Sequence, residues 1–187
     1  MKKTYQIIGR SGGNFEAGHR VMDHAWKCRN MHGHSYLYDL QFSFSQDGKK
    51  GIGYAIDFAE IKRVGIEFIE RYLDHAQILN PKDQLLFETV QELDSKFWSM
   101  SINGPGEYCN PTVENIGIEL FLALEFLFAD RDGLLVHSVK LNETPKCYTI
   151  VTSDAIAPEW RENFLLENSD RLKRFRDVIG VKTYGCS

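Results

Sequence analysis

The residues with the clearest chemical potential lie in Cys28-Arg-Asn-Met-His32-Gly-His34. On a strand, the period of two puts His32 and His34 on one face, with side chains standing off the sheet in the same direction, so that two imidazoles can hold one metal ion. Upstream, in Asn14-Phe-Glu-Ala-Gly-His19, Phe15, Ala17 and His19 alternate with polar or small residues and share the inner face of a preceding strand. Three neutral imidazoles from two neighbouring strands, with a fourth position open, are the catalytic form of zinc coordination, whereas closed four-ligand sites are structural. Cys28 is either a fourth, closing thiolate ligand or a thiol beside the metal that takes and gives a proton at neutral pH.

Two further places carry chemistry. Asp74-His75 follows a helix and offers an acid–base group with a carboxylate able to orient it; the plainer reading is a charge pair at a helix end. Glu143 falls on the inward phase of an apolar strand, where an unpaired carboxylate is costly. It needs a partner, and a ligand with paired N–H donors would supply one. His24 and His137 read as surface or satisfied core residues.

The elements that must position these groups follow from periodicity. Residues 4–19 read as a strand interrupted at Ser11-Gly-Gly13. Residues 34–45 form a half-buried strand in the phase of the histidines, with Tyr36, Tyr38, Leu40, Phe42 and Phe44 inward and Leu37 the exception on the other face. A polar, glycine-rich loop occupies 46–53. Asp57 is a good N-cap with Glu60 as capping-box partner, and Phe58, Ile61, Gly65, Phe68 and Tyr72 run down one face of a helix that ends near Leu73. Pro81 closes the turn after it. Residues 83–99 have helical spacing at Leu86, Val90, Leu93 and Phe97, before the turn-rich Asn103-Gly-Pro-Gly106; this is an inserted helix and loop at about 82–108. Thr112 caps a second strong helix, with Glu114 in its first turn. Residues 134–143, with Leu135, His137, Val139, Leu141 and Glu143 in phase, turn at Thr144-Pro-Lys146 into a strand over 147–151. Helices are expected at about 159–166 and 171–178.

At 187 residues the chain suits one domain with embellishments. The net charge of −4, with basic residues scattered except for Arg171-Leu-Lys-Arg-Phe-Arg176, gives no reason to expect nucleic acid as a partner. No stretch approaches the roughly 20 apolar residues of a membrane span, so a soluble, cytoplasmic protein is expected. Cysteines 28, 109, 147 and 186 form no CxxC pair and read as free thiols of a reducing compartment.

Six ordered motifs resemble the 6-pyruvoyltetrahydropterin synthase superfamily. They are FxAxH at 15–19, CxxxHGHxY at 28–36, Asp57-Phe58, Leu73-Asp-His75, Asn110-Pro-Thr-x-Glu-Asn115 and Glu143-Thr-Pro145. The three residues between Cys28 and His32 look like the bacterial 6-carboxytetrahydropterin synthases of queuosine biosynthesis; the animal pyruvoyl enzymes have a longer spacer. The resemblance implies an α+β tunnelling (T-fold) subunit: a four-stranded antiparallel sheet with two helices on one face, in the order ββααββ. The helical insert and a C-terminal helical tail are additional. The domain would span 1–152 and the extension 153–187.

The resemblance further implies a homo-oligomer, expected as a hexamer of two trimers, with active sites at subunit interfaces. The implied substrate is 7,8-dihydroneopterin triphosphate, converted to 6-carboxy-5,6,7,8-tetrahydropterin with loss of acetaldehyde and triphosphate. Carried over residue by residue, His19, His32 and His34 would bind Zn2+, Cys28 would be the proton-transferring base, His75 its counterpart oriented by Asp74, and Glu143 the pterin anchor. Glu114 matches the pattern but also suits a helix start. A pyruvoyl product or another cleavage of the pterin side chain on the same site is the second expectation, and a non-catalytic, zinc-stabilised assembly protein the third.

Overall fold

The computed structural model describes residues 5–45, 56–131 and 133–180. Two long strands make its frame. Strand β1 (Tyr5–His19) pairs antiparallel with β2 (His32–Ser45) along their whole length, ending with His19 opposite His32. The interruption expected in β1 is a register shift between Arg10 and Gly13. Gly12 takes φ +75° and donates its N–H to Asp39 Oδ1 at 3.0 Å. Gly13 lies over the Tyr38 ring, where a Cβ would stand 2.2 Å from Cζ, so no larger residue fits. Tyr36, Tyr38, Leu40, Phe42 and Phe44 are buried and Leu37 is exposed, as the alternation requires. The expected loop at 46–53 lies outside the described residues.

Helix α1 begins at Phe58–Ile61, passes through a π-helical turn at Lys62–Ile66 and continues as Glu67–Tyr72. Asp57 caps it by accepting from Ala59 N at 2.8 Å. The capping box is not made, because the Glu60 carboxylate is taken by Arg63 and Arg131. Phe58, expected on the buried face, is 56% exposed. After the helix the chain does not simply turn at Pro81. Ala76–Leu79 forms β3, parallel to the end of β1, with Ala76, Ile78 and Leu79 buried.

The insert is only partly helical. Helix α2 (Gln84–Glu92) stops before Leu93, which is exposed, and Phe97–Ser99 forms β4, parallel to β3. Phe97 therefore packs from a strand, against Phe87. Helix α3 (Val113–Leu127) is capped by Thr112 as expected, and its apolar side packs on β5 (Leu134–Asn142) and β6 (Tyr148–Thr152). The expected phase of β5 breaks in the middle: Val139 and Leu141 are buried, but so are Leu134 and Val136, while Leu135 is exposed. A bulge opposite Gln41 and Phe42 moves the first half of the strand by one residue.

The sheet order is β4-β3-β1-β2-β5-β6. The four antiparallel strands expected are β1, β2, β5 and β6; two short parallel strands extend them, giving six. Helices α1 and α3 lie on one face with the main core, whereas α2 packs on the other, its Leu86 and Val90 against Leu79 and its Phe87 against Phe97. The other face exposes Ile7, Leu37, Leu135, Tyr148 and Ile150. The tail is one helix, α4 (Pro158–Val178), not two, and it buries Phe164, Leu172 and Phe175 in the main core. Its basic cluster is partly committed within the chain: Arg171 stacks 4.8 Å from the Trp98 ring and Arg176 pairs with Asp130 at 2.6 Å. Among the described residues no helix is long and apolar enough to cross a membrane.

Glu119 of α3 fastens the insert to the core. Its carboxylate, 2% exposed, accepts from Trp98 Nε1, Ser101 N, Ser101 Oγ and Ile102 N. Burial pushes its pKa up from 4.5 to about 7, against the pull of these donors. Between those two values the folded chain holds a proton that the unfolded chain has released, so this group's contribution to stability falls as pH rises from about 4.5 to 7 and is level above. Glu119→Leu strands these donors and is expected to cost on the order of 3 kcal/mol or more in urea unfolding. The same variant should flatten the pH dependence of stability over that interval.

Candidate metal centre and its surroundings

The register of β1 and β2 assembles the histidines. His19 faces His32 across the ladder, and His34 lies two residues along beside Ala17, with Gly18 and Gly33 between them. The His19 ring lies 4.5 Å from that of His32 and 5.2 Å from that of His34, and the His32 and His34 rings are 4.9 Å apart. One ligand nitrogen from each falls within 4.8 Å of the others.

The outer nitrogens are already committed. His19 Nδ1 meets the Pro111 carbonyl at 2.7 Å, and His32 Nδ1 meets the Asn30 carbonyl at 2.7 Å. Both rings are thereby set to donate from Nδ1 and offer Nε2, the arrangement that fixes tautomer and direction in metal-binding histidines. His19 Nε2 and His34 Nε2 are buried and have no hydrogen-bond partner. Burial lowers the His19 pKa from 6.5 to about 4; the nearby His32 and His34 add to that, and the Pro111 carbonyl opposes it. A neutral imidazole at physiological pH is what a metal requires. Three converging imidazoles, two of them with bare buried Nε2 atoms, fit Zn2+ well.

Glu143 follows the end of β5, its N–H donating to the Cys147 carbonyl at 3.0 Å. Its Oε1 stands 3.6 Å from His19 Nε2 and 3.9 Å from His34 Nε2, so the carboxylate borders the triad. Tyr36 was placed by sequence only in the apolar row. Its ring edges those of His19 and His34 at 6.1 and 5.7 Å, its hydroxyl is buried without a partner, and burial, with Glu143 nearby, pushes its pKa up. The signal was available: Tyr36 continues the row of His32 and His34 at the next step of two.

Cys28 lies in a 3-10 turn (Lys27–Arg29) of the loop joining the two ligand strands, half-buried, and its carbonyl accepts from Val21 N at 2.8 Å. That loop is clamped from outside. Asn110 takes Met22 N and donates to Met22 O, both at 2.9 Å. Arg20 makes a two-pronged pair with buried Asp83 at the start of α2. His24 serves its own turn, accepting from Trp26 N at 3.1 Å.

Asp74 and His75 are a formed pair: Nδ1 meets Oδ2 at 2.7 Å, and the His75 side chain is 75% exposed. The pair stands beside Glu16 and Ser35, on the side of the sheet that faces away from the main core, bordering a hollow of about 460 Å³. The structure thus gathers His19, His32, His34 and Glu143 within one chain, keeps Cys28 on the adjoining loop, and sets Asp74–His75 on the opposite face. Glu114 is exposed at the start of α3, and no described contact links it to the triad.

The sequence profile described as 6-pyruvoyl tetrahydropterin synthase matches residues 10–154. The chain belongs to this family. It is 31% identical to the 6-carboxy-5,6,7,8-tetrahydropterin synthase of Rickettsia conorii over 138 residues, 73% of this chain and 94% of that protein. To the protein of the same name in Haemophilus influenzae it is 27% identical, over 72% of this chain and 91% of the relative. Among solved structures, a protein of Wolinella succinogenes superposes with a TM-score of 0.63 at 22% identity, covering 80% of this chain and 99% of the other. The 6-pyruvoyl tetrahydropterin synthase of Caenorhabditis elegans superposes with a TM-score of 0.54 at 21% identity, covering 82% and 99%. These likenesses support the tunnelling-fold architecture expected from the motifs.

Proposed function

We propose that this chain is a zinc-dependent 6-carboxytetrahydropterin synthase, converting 7,8-dihydroneopterin triphosphate and water to 6-carboxy-5,6,7,8-tetrahydropterin, acetaldehyde and triphosphate on the route to 7-deazapurines such as queuosine. The observation that carries the reading is the open triad of converging imidazoles, with bare buried Nε2 atoms on His19 and His34, bordered by Glu143, in a chain whose curated relatives bear that name. The three-residue spacer between Cys28 and His32 favours the carboxy over the pyruvoyl branch.

Zinc held by His19, His32 and His34 supplies Lewis-acid polarisation of the substrate's side-chain oxygens. The Glu143 carboxylate accepts from the 2-amino and ring N–H groups of the pterin and fixes its orientation. Cys28 removes a proton from the side chain. His75 Nε2 moves the complementary proton, because its Nδ1 is occupied by Asp74 Oδ2. Since Asp74–His75 stands on the far side of the sheet from its own triad, each pair serves the site of a neighbouring subunit. The apolar residues that β1, β2, β5 and β6 expose on the face away from the main core suit burial between subunits of a homo-oligomer, which we read as a hexamer. Residues 1–152 form the synthase domain and 153–187 its extension.

The test is product analysis by mass after incubating zinc-loaded protein with 7,8-dihydroneopterin triphosphate. The carboxy product and acetaldehyde should appear one for one. A pyruvoyl product without acetaldehyde would overturn the assignment.

A further inference from the structure

The insert carries a lysine that reaches the Asp74–His75 turn. Lys96 immediately precedes β4, and its carbonyl accepts from Gln77 N at 3.0 Å. Its Nζ donates to the Asp74 carbonyl at 2.6 Å and to the Glu70 carbonyl at 3.2 Å. Both carbonyls lie at the carboxyl end of α1, where C=O groups lack intrahelical partners and present partial negative charge. A cation is favoured there.

The turn so supported needs support. His75 adopts φ +58°, the left-handed region that costs a residue with a Cβ roughly 1–2 kcal/mol. Its N–H donates to Glu16 O at 2.6 Å, and Glu16 N donates to Asp74 Oδ1 at 2.9 Å. The charged residues at the turn and the hollow are Asp74 beside the His75 ring, Glu16 from β1 and Lys96 from the insert. His34, Ser35, Gln77 and Ser95 also line the hollow, in which Lys96 is the one lysine or arginine among the described residues.

We propose that Lys96 is a positioning residue for proton transfer by His75, acting through Asp74, and that the insert contributes in this way to the site. The inference rests on the role of Asp74–His75 given above. By anchoring the Asp74 carbonyl, the ammonium group keeps the carboxylate aligned with Nδ1, which leaves Nε2 as the outward, reactive nitrogen. The Asp74 carboxyl is held below its ordinary range: partial burial raises it, but the Glu16 N–H, the His75 ring and, more weakly, the Lys96 charge outweigh that. An ionised carboxylate can only accept, so it selects the Nδ1–H form of the ring.

The test compares Lys96→Met with Lys96→Arg in the zinc-loaded, full-length protein. Lys96→Met is expected to lower kcat roughly five- to tenfold with KM within about twofold, and Lys96→Arg to recover most of the loss. An unchanged kcat, a raised KM alone, or a loss that arginine does not recover would overturn the proposal. A second readout needs no turnover. The ¹⁵N shifts of the His75 ring, assigned by comparison with His75→Gln, should show the Nδ1–H form in wild type and Lys96→Arg and a mixture of tautomers in Lys96→Met. An unchanged tautomer overturns the proposal, whereas a changed tautomer in a protein that converts no pterin would leave Lys96 as a positioning residue and sink the functional reading instead.

Discussion

Cys28→Ala is expected to lower turnover by at least about 10²-fold while the protein retains about one zinc per subunit. The three imidazoles converge without the thiol: their ligand nitrogens fall within 4.8 Å of one another, and two of the rings are oriented by backbone carbonyls that Cys28 does not touch. The loop holding Cys28 is kept in place by Met22 on Asn110 and Arg20 on Asp83, so removing one sulfur should leave the strands as they are. Metal analysis beside the product assay checks both halves. Loss of zinc together with activity would make Cys28 the closing ligand that its chemistry also allows.

The second large effect comes from mixing. Cys28→Ala and His75→Gln chains should each be inactive alone, yet regain activity when dissociated and reassembled together. A site that takes its cysteine from one subunit and its histidine from the next is intact wherever the first is a His75→Gln chain and the second a Cys28→Ala chain, about a quarter of sites on random assortment. If both residues served the site of their own chain, no mixture would regain turnover. The separation of the pair from the triad by the sheet is what gives the experiment its power.

The metal centre was legible because strand period and ladder pairing are local rules. Phe15, Ala17 and His19 on one strand and His32, His34 and Tyr36 on the other had to share a face, and they do. The location of Asp74–His75 was not legible. It depends on β3, whose four residues carry no alternation and form a strand only because the end of β1 offers a parallel edge. The same holds for β4, where Phe97 fitted a helical spacing but the chain left the helix at Leu93. In β5 a bulge reversed the phase of Leu135 while sparing Val139 and Leu141, which is why Glu143 still arrived at the triad. In the tail, the gap expected between helices at 159–166 and 171–178 is itself helical; Asn168 is buried there, its amide donating to the Phe164 carbonyl and to Ser101 Oγ. Each miss turns on a partner distant in the chain.

The π-helical turn at Lys62–Ile66 has a consequence for how this chain could be altered. Such a turn accommodates one residue more than an α-helical turn, and each residue of an α-helix advances the direction of a side chain by roughly 100°. Removing any one of those five residues would leave the apolar content of α1 nearly intact. The segment Glu67–Tyr72 would keep its facing as well, because the turn would close as regular α-helix and the residue lost is the one the wider turn had absorbed; Phe68 and Ile69 would stay on the core. The facing of Asp74 and His75 therefore tolerates the loss of one residue at this turn, whereas the same deletion within Glu67–Tyr72 would swing the dyad by roughly 100°.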